Sequence, residues 1–144
     1  MKRQSEDLFF KYNTTPRQDG ANGIQFDLPD VYQPIPGDII EMIISESGTN
    51  GFVSYYAKLV CFRYPDSNGN FTGLDITAID GRLRDENTQY SRMISASYIL
   101  DNQNKKSISL YGPDEAVVTI ETEATNTVNM IVHRSTAPID LYYL

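Results

Sequence analysis

The chain has 144 residues, enough for one domain that buries its own hydrophobic core. Its 19 acidic and 12 basic residues give a formal net charge of −7, which argues against nucleic-acid binding because phosphate groups would repel the protein. One cysteine excludes an internal disulfide, and no apolar run approaches the roughly 18–20 residues that a membrane-spanning helix needs. We therefore expect a soluble acidic domain, made in a cytoplasm and without a membrane partner.

The first 22 residues are predicted to form an irregular arm. Residues 5–12 could form one or two helical turns with Ser5 as the N-cap, and the NTTP and DGANG segments that follow are rich in loop-forming residues. We place the arm at residues 1–22, a folded body at 23–136 and a tail at 137–144. The apolar arm residues that we expect to contact a neighbouring subunit are Leu8, Phe9, Phe10 and Tyr12.

The body is predicted to be all-β, because apolar and polar residues alternate with period two along most of it. A polar loop at residues 80–89 and turns at 65–70 and 101–106 separate the runs. About eight strands at this spacing favour an antiparallel β-sandwich, jelly-roll-like in type. The predicted strands are 23–28, 38–45, 52–64, 71–79, 90–100 and 107–111, followed by a closing hairpin of 116–122 and 127–133.

Residues 52–64 form the longest of these runs, and both of its faces are largely apolar or aromatic. Tyr55, Ala57, Leu59 and Cys61 share one face. Their neighbours Tyr56, Lys58, Val60 and Phe62 share the other. This pattern predicts a central strand that is covered on both sides, or one whose second face is used for contact.

The residues that most often perform catalysis are scarce. Cys61 lies within an apolar run and is predicted to be a buried, inert thiol. His133, the one histidine, ends a strand beside Arg134, and the chain has no Gly-x-Ser-x-Gly motif. We therefore predict no catalytic residue, no cofactor and no enzymatic activity. The acidic pairs are interpreted as a solvated face: Asp85 with Glu86, Asp114 with Glu115, and Glu121 with Glu123.

The stretch DSNGN, from Asp66 to Asn70, imitates the start of a calcium-binding loop. An EF-hand loop needs glycine at its sixth position and glutamate at its twelfth, where this chain has Phe71 and Thr77. The Asn-Gly pair is instead typical of a hairpin turn, so no metal site is predicted. An irregular calcium site that uses Asp66 with Asp75 or Asp80 is the alternative.

Three features together resemble the small structural proteins of tailed-bacteriophage particles: the arm around residues 13–23, the compact body rich in Thr, Asn and Tyr, and the hydrophobic end at 137–144. Capsid decoration proteins, head-fibre bases and tail adaptors share this plan. The resemblance implies a non-enzymatic β-module in the virion, with the protein subunits of the same particle, including copies of itself, as its partners. The tail residues expected to dock are Ile139, Leu141, Tyr142, Tyr143 and Leu144.

The ten tyrosines support an alternative function, a carbohydrate-binding or receptor-recognition module. Tyrosine offers a large rigid surface with a polar end, as sugar-binding faces require. The absence of tryptophan counts against a glycan partner. The alternative predicts an exposed row of ligand-binding aromatic residues: Tyr55, Tyr64, Tyr90 and Tyr111.

Overall fold

The computed structural model describes residues 5–46, 53–70, 72–84, 90–118 and 126–135. Within these residues the chain forms ten strands in two antiparallel sheets. The described residues contain no helix long and apolar enough to cross a membrane. The prediction of an all-β sandwich is confirmed. The strands are β1 (Ser5–Thr14), β2 (Arg17–Gln18), β3 (Gly23–Asp27), β4 (Ile39–Glu46), β5 (Val53–Tyr64), β6 (Gly73–Arg84), β7 (Tyr90–Arg92), β8 (Ser95–Leu100), β9 (Lys106–Tyr111) and β10 (Asn126–Ser135).

The large sheet has the order β1-β10-β4-β5-β6-β7, and the small sheet has the order β2-β3-β9-β8. The chain passes from the large sheet to the small one between β1 and β2, and again between β7 and β8. At the second crossing, Met93 N–H donates to the Gly81 carbonyl at 3.0 Å, while the next residue, Ile94, donates to Tyr111 at 2.8 Å. Two successive amides thus bond to different sheets, which closes one side of the sandwich.

The core lies between the two sheets and is built from alternate residues of the strands. Phe26 and Tyr55 meet across it with ring centroids 5.6 Å apart in an edge-on arrangement. Each buried aliphatic or aromatic side chain contributes about 1.5–3 kcal/mol by removal from water. The residues with no exposed surface include Ile24, Phe26, Ile40, Met42, Ile44, Tyr55, Ala57, Leu59, Cys61, Leu83, Ile108, Leu110, Val128 and Val132.

Strand β5 confirms the prediction of a central strand. It pairs with β4 on one side and β6 on the other, and its predicted inner face is fully buried. Its other face is half-buried, from Tyr56 to Phe62. The turn at residues 65–70 is also the predicted hairpin, with Gly69 at a φ of 81°, where a side chain would be strained.

Strand β1 corrects the prediction for the start of the chain. Residues 5–14 do not form helical turns or an irregular segment, because every residue from Ser5 to Thr14 pairs with β10. Leu8, Phe10 and Tyr12 pack against the core, which gives the period-two pattern of a strand. Phe9 hides this pattern in the sequence, since an apolar residue stands where alternation requires a polar one.

The predicted closing hairpin is wrong in its pairing. Strand β10 includes the predicted strand at residues 127–133, but it pairs with β1 along one edge and with β4 along the other. A strand has two edges, so β10 has no free edge for the described residues 116–118 of the predicted hairpin. The described part of that segment instead lies against the loop after β2, where Val118 N–H donates to the Ala21 carbonyl at 3.0 Å.

Two further boundaries differ from expectation. Strand β6 continues to Arg84, so residues 80–84 are strand rather than loop, and the register with β5 shifts at Leu59 so that Ile79 is the extra residue of a bulge. The predicted strand at 90–100 is divided into β7 and β8 by the crossing at Met93. Residues 85–89 lie outside the described residues.

Candidate functional site: the outer face of the large sheet

The large sheet turns one face to the core and the other to solvent, and this second face is rich in apolar side chains. Phe9 is 70% exposed and Ile43 is 44% exposed. The cross-strand register places the partly exposed residues beside them: Phe9 is opposite Ile131, and Ile43 is opposite Tyr56. We call this surface the outer face; its apolar members are Phe9, Ile39, Ile43, Tyr56, Val60, Phe62 and Ile131.

A row of charges crosses the outer face from β1 to β5. His133 Nδ1 lies 2.8 Å from Asp7 Oδ1, and its Nε2 lies 3.5 Å from Glu41 Oε2. Lys58 Nζ lies 3.7 Å from the other oxygen of Glu41. The hydrogen bond with Asp7, supported by Glu41, raises the pKa of His133 although partial burial opposes the shift. His133 is the surface strand-end histidine that we expected, and it links β1 to β10.

A buried polar cluster fixes the loop between β3 and β4 onto β10. The Asp38 side chain is 1% exposed and accepts two hydrogen bonds from Arg134, to Oδ1 at 3.0 Å and to Oδ2 at 2.8 Å. The buried Tyr32 hydroxyl donates to Asp38 Oδ2 at 2.7 Å, and burial raises the pKa of Tyr32. Arg134 also donates to the Gln33 carbonyl at 2.9 Å. We call Tyr32, Asp38 and Arg134 the Asp38 cluster.

Cys61 lies beside the Asp38 cluster and matches the prediction of a buried thiol. Its side chain has no exposed surface. Burial, with a smaller contribution from the negative charge of Asp38, raises the pKa of Cys61 to about 12. A thiol that stays protonated and out of contact with solvent is a poor nucleophile.

The four tyrosines of the predicted ligand row do not lie on one surface. Tyr55 has no exposed surface and belongs to the core, so that part of the prediction is wrong. Tyr64 is opposite the first residue of β6, and Tyr90 is opposite the last. At the usual rise per residue of a strand, the two ends of β6 are about 35 Å apart. Tyr111 donates its hydroxyl to Asp19 Oδ2 at 2.7 Å, in the small sheet.

Tyr64 does take part in a different arrangement. Its ring lies over Gly73, the residue opposite it, and a Cβ on that glycine would fall 2.6 Å from the ring. Tyr64 and Tyr98 together line a groove of about 520 Å³. We call it the tyrosine groove; its residues are Gln33, Tyr64, Thr72, Gly73, Leu74, Tyr98, Ile99 and Leu100. Tyr98 was not among the predicted ligand-binding residues, because β8 comes against β6 only once the chain has crossed between the sheets.

The residues of the alternative calcium site have other partners. Asp66 accepts hydrogen bonds from the Asn68 and Asn70 amides and from Thr72 Oγ1, which lower its pKa. Asp75 accepts the Tyr98 amide of β8 at 2.9 Å. Among the described residues, no group of three or more His, Cys, Asp or Glu side chains is placed to hold a metal ion.

The predicted docking residues of the arm divide between the two faces of β1. Phe9 points to solvent, whereas Leu8, Phe10 and Tyr12 are half-buried against the core. The predicted tail residues, 139 and 141–144, lie outside the described residues, as do Glu121 and Glu123 and the pair Asp85 and Glu86. Asp114 and Glu115 are exposed, as a solvated acidic pair should be.

The fold defines the protein as an antiparallel β-sandwich with an apolar outer face on its larger sheet. No protein-family model, curated protein or solved structure matches this chain.

Proposed function

We propose that the protein is a non-enzymatic structural subunit of a larger protein assembly. The observation that carries this proposal is the apolar outer face, where Phe9 and Ile43 leave 70% and 44% of their surfaces exposed. Exposed apolar surface that is bordered by charges is typical of protein–protein interaction sites. The outer face would then be the surface that the assembly covers.

Three described side chains capable of chemistry support a structural role, because each is buried or engaged in contacts that hold the fold. Cys61 is buried and protonated, and His133 lies between Asp7 and Glu41. Asp38 receives its hydrogen bonds from Arg134 and Tyr32. Burial keeps a substrate from Cys61, and the contacts of His133 and Asp38 tie β1 and the loop before β4 to β10.

The assembly that we propose is a bacteriophage particle, on the sequence resemblance alone, with the tail at residues 137–144 as a second docking segment. Sedimentation of the native protein from cells that produce the particle tests the proposal. The native protein should travel with a body of many subunits. Ile43→Lys should shift it to the slow fraction, while Ser95→Lys, at an exposed position of the small sheet, should not. Native protein found only at the mass of one or two chains would refute the proposal.

Carbohydrate binding is the second candidate function, and the tyrosine groove is the observation that favours it. Tyr64 is 40% exposed, and Gln33 and Thr72 supply polar groups beside it. Aromatic rings with neighbouring hydrogen-bonding groups suit the alternating apolar and polar surfaces of sugars. A glycan array tests it: Tyr64→Ala should abolish any binding, whereas Tyr90→Ala, in β7 opposite the far end of β6, should leave it intact. No bound glycan, with or without calcium, would reject this candidate.

A further inference from the structure

The free edge of β1 is the strongest unexplained feature of the described structure. This ten-residue strand ends the large sheet, with β10 on one side and no described strand on the other. It contains no proline. A long edge strand presents a row of N–H and C=O groups that can pair with another strand.

Phe9 stands at the middle of this edge strand and is its most exposed apolar residue. It borders a shallow groove of about 310 Å³ with Ile131 and Lys11. A solvated edge strand normally carries polar residues at its outward positions, which prevent pairing with other chains. A phenylalanine at this position instead favours an occupant that covers it.

The charges around Phe9 indicate which occupant fits. Asp7 and Lys11 lie two residues to either side of Phe9, on the same outward face of β1. If two β1 strands run antiparallel with Phe9 opposite Phe9, then Asp7 of each copy lies opposite Lys11 of the other. Cross-strand pairs of opposite charge stabilise such pairing, and like charges oppose it.

The other registers lose these pairs of opposite charge. A shift of two residues places Asp7 or Lys11 opposite Phe9, and a shift of four places Asp7 opposite Asp7 or Lys11 opposite Lys11. The Phe9-centred register also aligns Leu8 of one copy with Phe10 of the other on the inner side. An interface in which the same patch meets itself is what a two-fold symmetric dimer requires.

The charged atoms needed for the pairing are accessible. His133 engages Oδ1 of Asp7, and the Asp7 side chain is still 41% exposed. Lys11 is exposed, and no described residue forms an ion pair with it. Each carboxylate could therefore accept a second partner without breaking its contact with His133.

We propose that the protein forms a symmetric dimer through antiparallel pairing of two β1 strands centred on Phe9, so that the two large sheets become one continuous sheet. The partner is a second copy of this chain. The inference rests on the proposed function in one respect, that Phe9 is an interface residue. It concerns the purified chain rather than the complete particle.

The mass of the purified full chain in solution, measured by light scattering at micromolar concentration, tests the dimer. The expected mass is twice the 16.3 kDa of one chain. Phe9→Lys should weaken the dimer at least tenfold, while Ile79→Lys, at a bulge residue of β6 that is 49% exposed, should leave it unchanged. Because Phe9 is exposed, circular dichroism should show both variants to be folded.

A charge exchange supplies an independent test of the register. Asp7→Lys and Lys11→Asp should each be monomeric alone. In either variant, positions 7 and 11 carry the same charge, so the two copies would bring two pairs of like charges together. An equal mixture of the two variants should restore the dimer, since every pair is again of opposite sign. Failure of the mixture to dimerise would overturn the register.

Other occupants of the edge give different results, and each would overturn the proposal. A full chain that stays monomeric, but dimerises once residues 137–144 are deleted, would show that its own tail covers β1. A dimer that survives Phe9→Lys would have its interface elsewhere on the molecule.

The dimer and the proposed function can fail separately. If the purified chain is a dimer but the native protein does not sediment with a larger particle, the proposed function is refuted and the β1 dimer stands. If the native protein sediments with a particle but the purified chain is a monomer, the β1 dimer is refuted and the proposed function stands.

Discussion

Replacing Asp38 with asparagine is expected to destabilise the protein by about 3–5 kcal/mol, the usual cost of breaking a buried ion pair. Asparagine keeps the shape of the side chain but loses the charge that Arg134 and Tyr32 face. The Tyr32 hydroxyl bond is worth about 1 kcal/mol, and the two bonds from the charged Arg134 about 1.5–3 kcal/mol each. Arg134 is 22% exposed, so its partial rehydration offsets some of this sum.

Urea unfolding followed by far-UV circular dichroism measures the loss. Asp114→Asn is the matched control, because Asp114 is exposed and its replacement should change the free energy of unfolding by less than about 0.5 kcal/mol. A domain of this length is stable by about 7–20 kcal/mol, so the Asp38→Asn protein should remain folded in water. Equal unfolding free energies for the two variants would refute the structural role assigned to the Asp38 cluster.

Three further predictions follow from the described contacts. Asp7 raises the pKa of His133 above its unfolded value of about 6.5, so this contact stabilises the fold fully below pH 6.5 and loses its effect as the pH rises through the folded pKa. An NMR titration should show a lower His133 pKa in Asp7→Asn than in the native protein. An unchanged pKa would contradict the role given to Asp7. Gly23→Ala should cost roughly 1–3 kcal/mol in urea unfolding because its Cβ would collide with the Asp19 carbonyl, and a neutral result would mean that this loop yields easily. The Cys61 thiol should react with a thiol reagent at pH 8 only after unfolding, and rapid labelling of the native protein would contradict its burial.

The outer face and the Asp38 cluster differ in how far sequence could predict them. The half-buried side of β5 was expected to be covered or used for contact, because apolar residues occupy both of its faces. The Asp38 cluster gave no such signal, since Asp38 and Arg134 are 96 residues apart and meet only when β10 inserts between β1 and β4. Tyr98 joined Tyr64 in a groove for a similar reason, because the crossing at Met93 brings β8 to β6.

Local sequence patterns are enough to predict the all-β character of the chain, the buried face of its central strand and the position of its tight turns. These properties depend on period-two alternation and on the Asn-Gly turn, which act between residues close in the chain. Only the folded structure shows which strands pair, that residues 5–14 are an edge strand rather than an arm, and which apolar residues remain exposed. Alternation shows only that a segment has two faces; the neighbour on each edge is chosen by contacts between distant segments, and Phe9 can be recognised as exposed only once β10 and the core are in place.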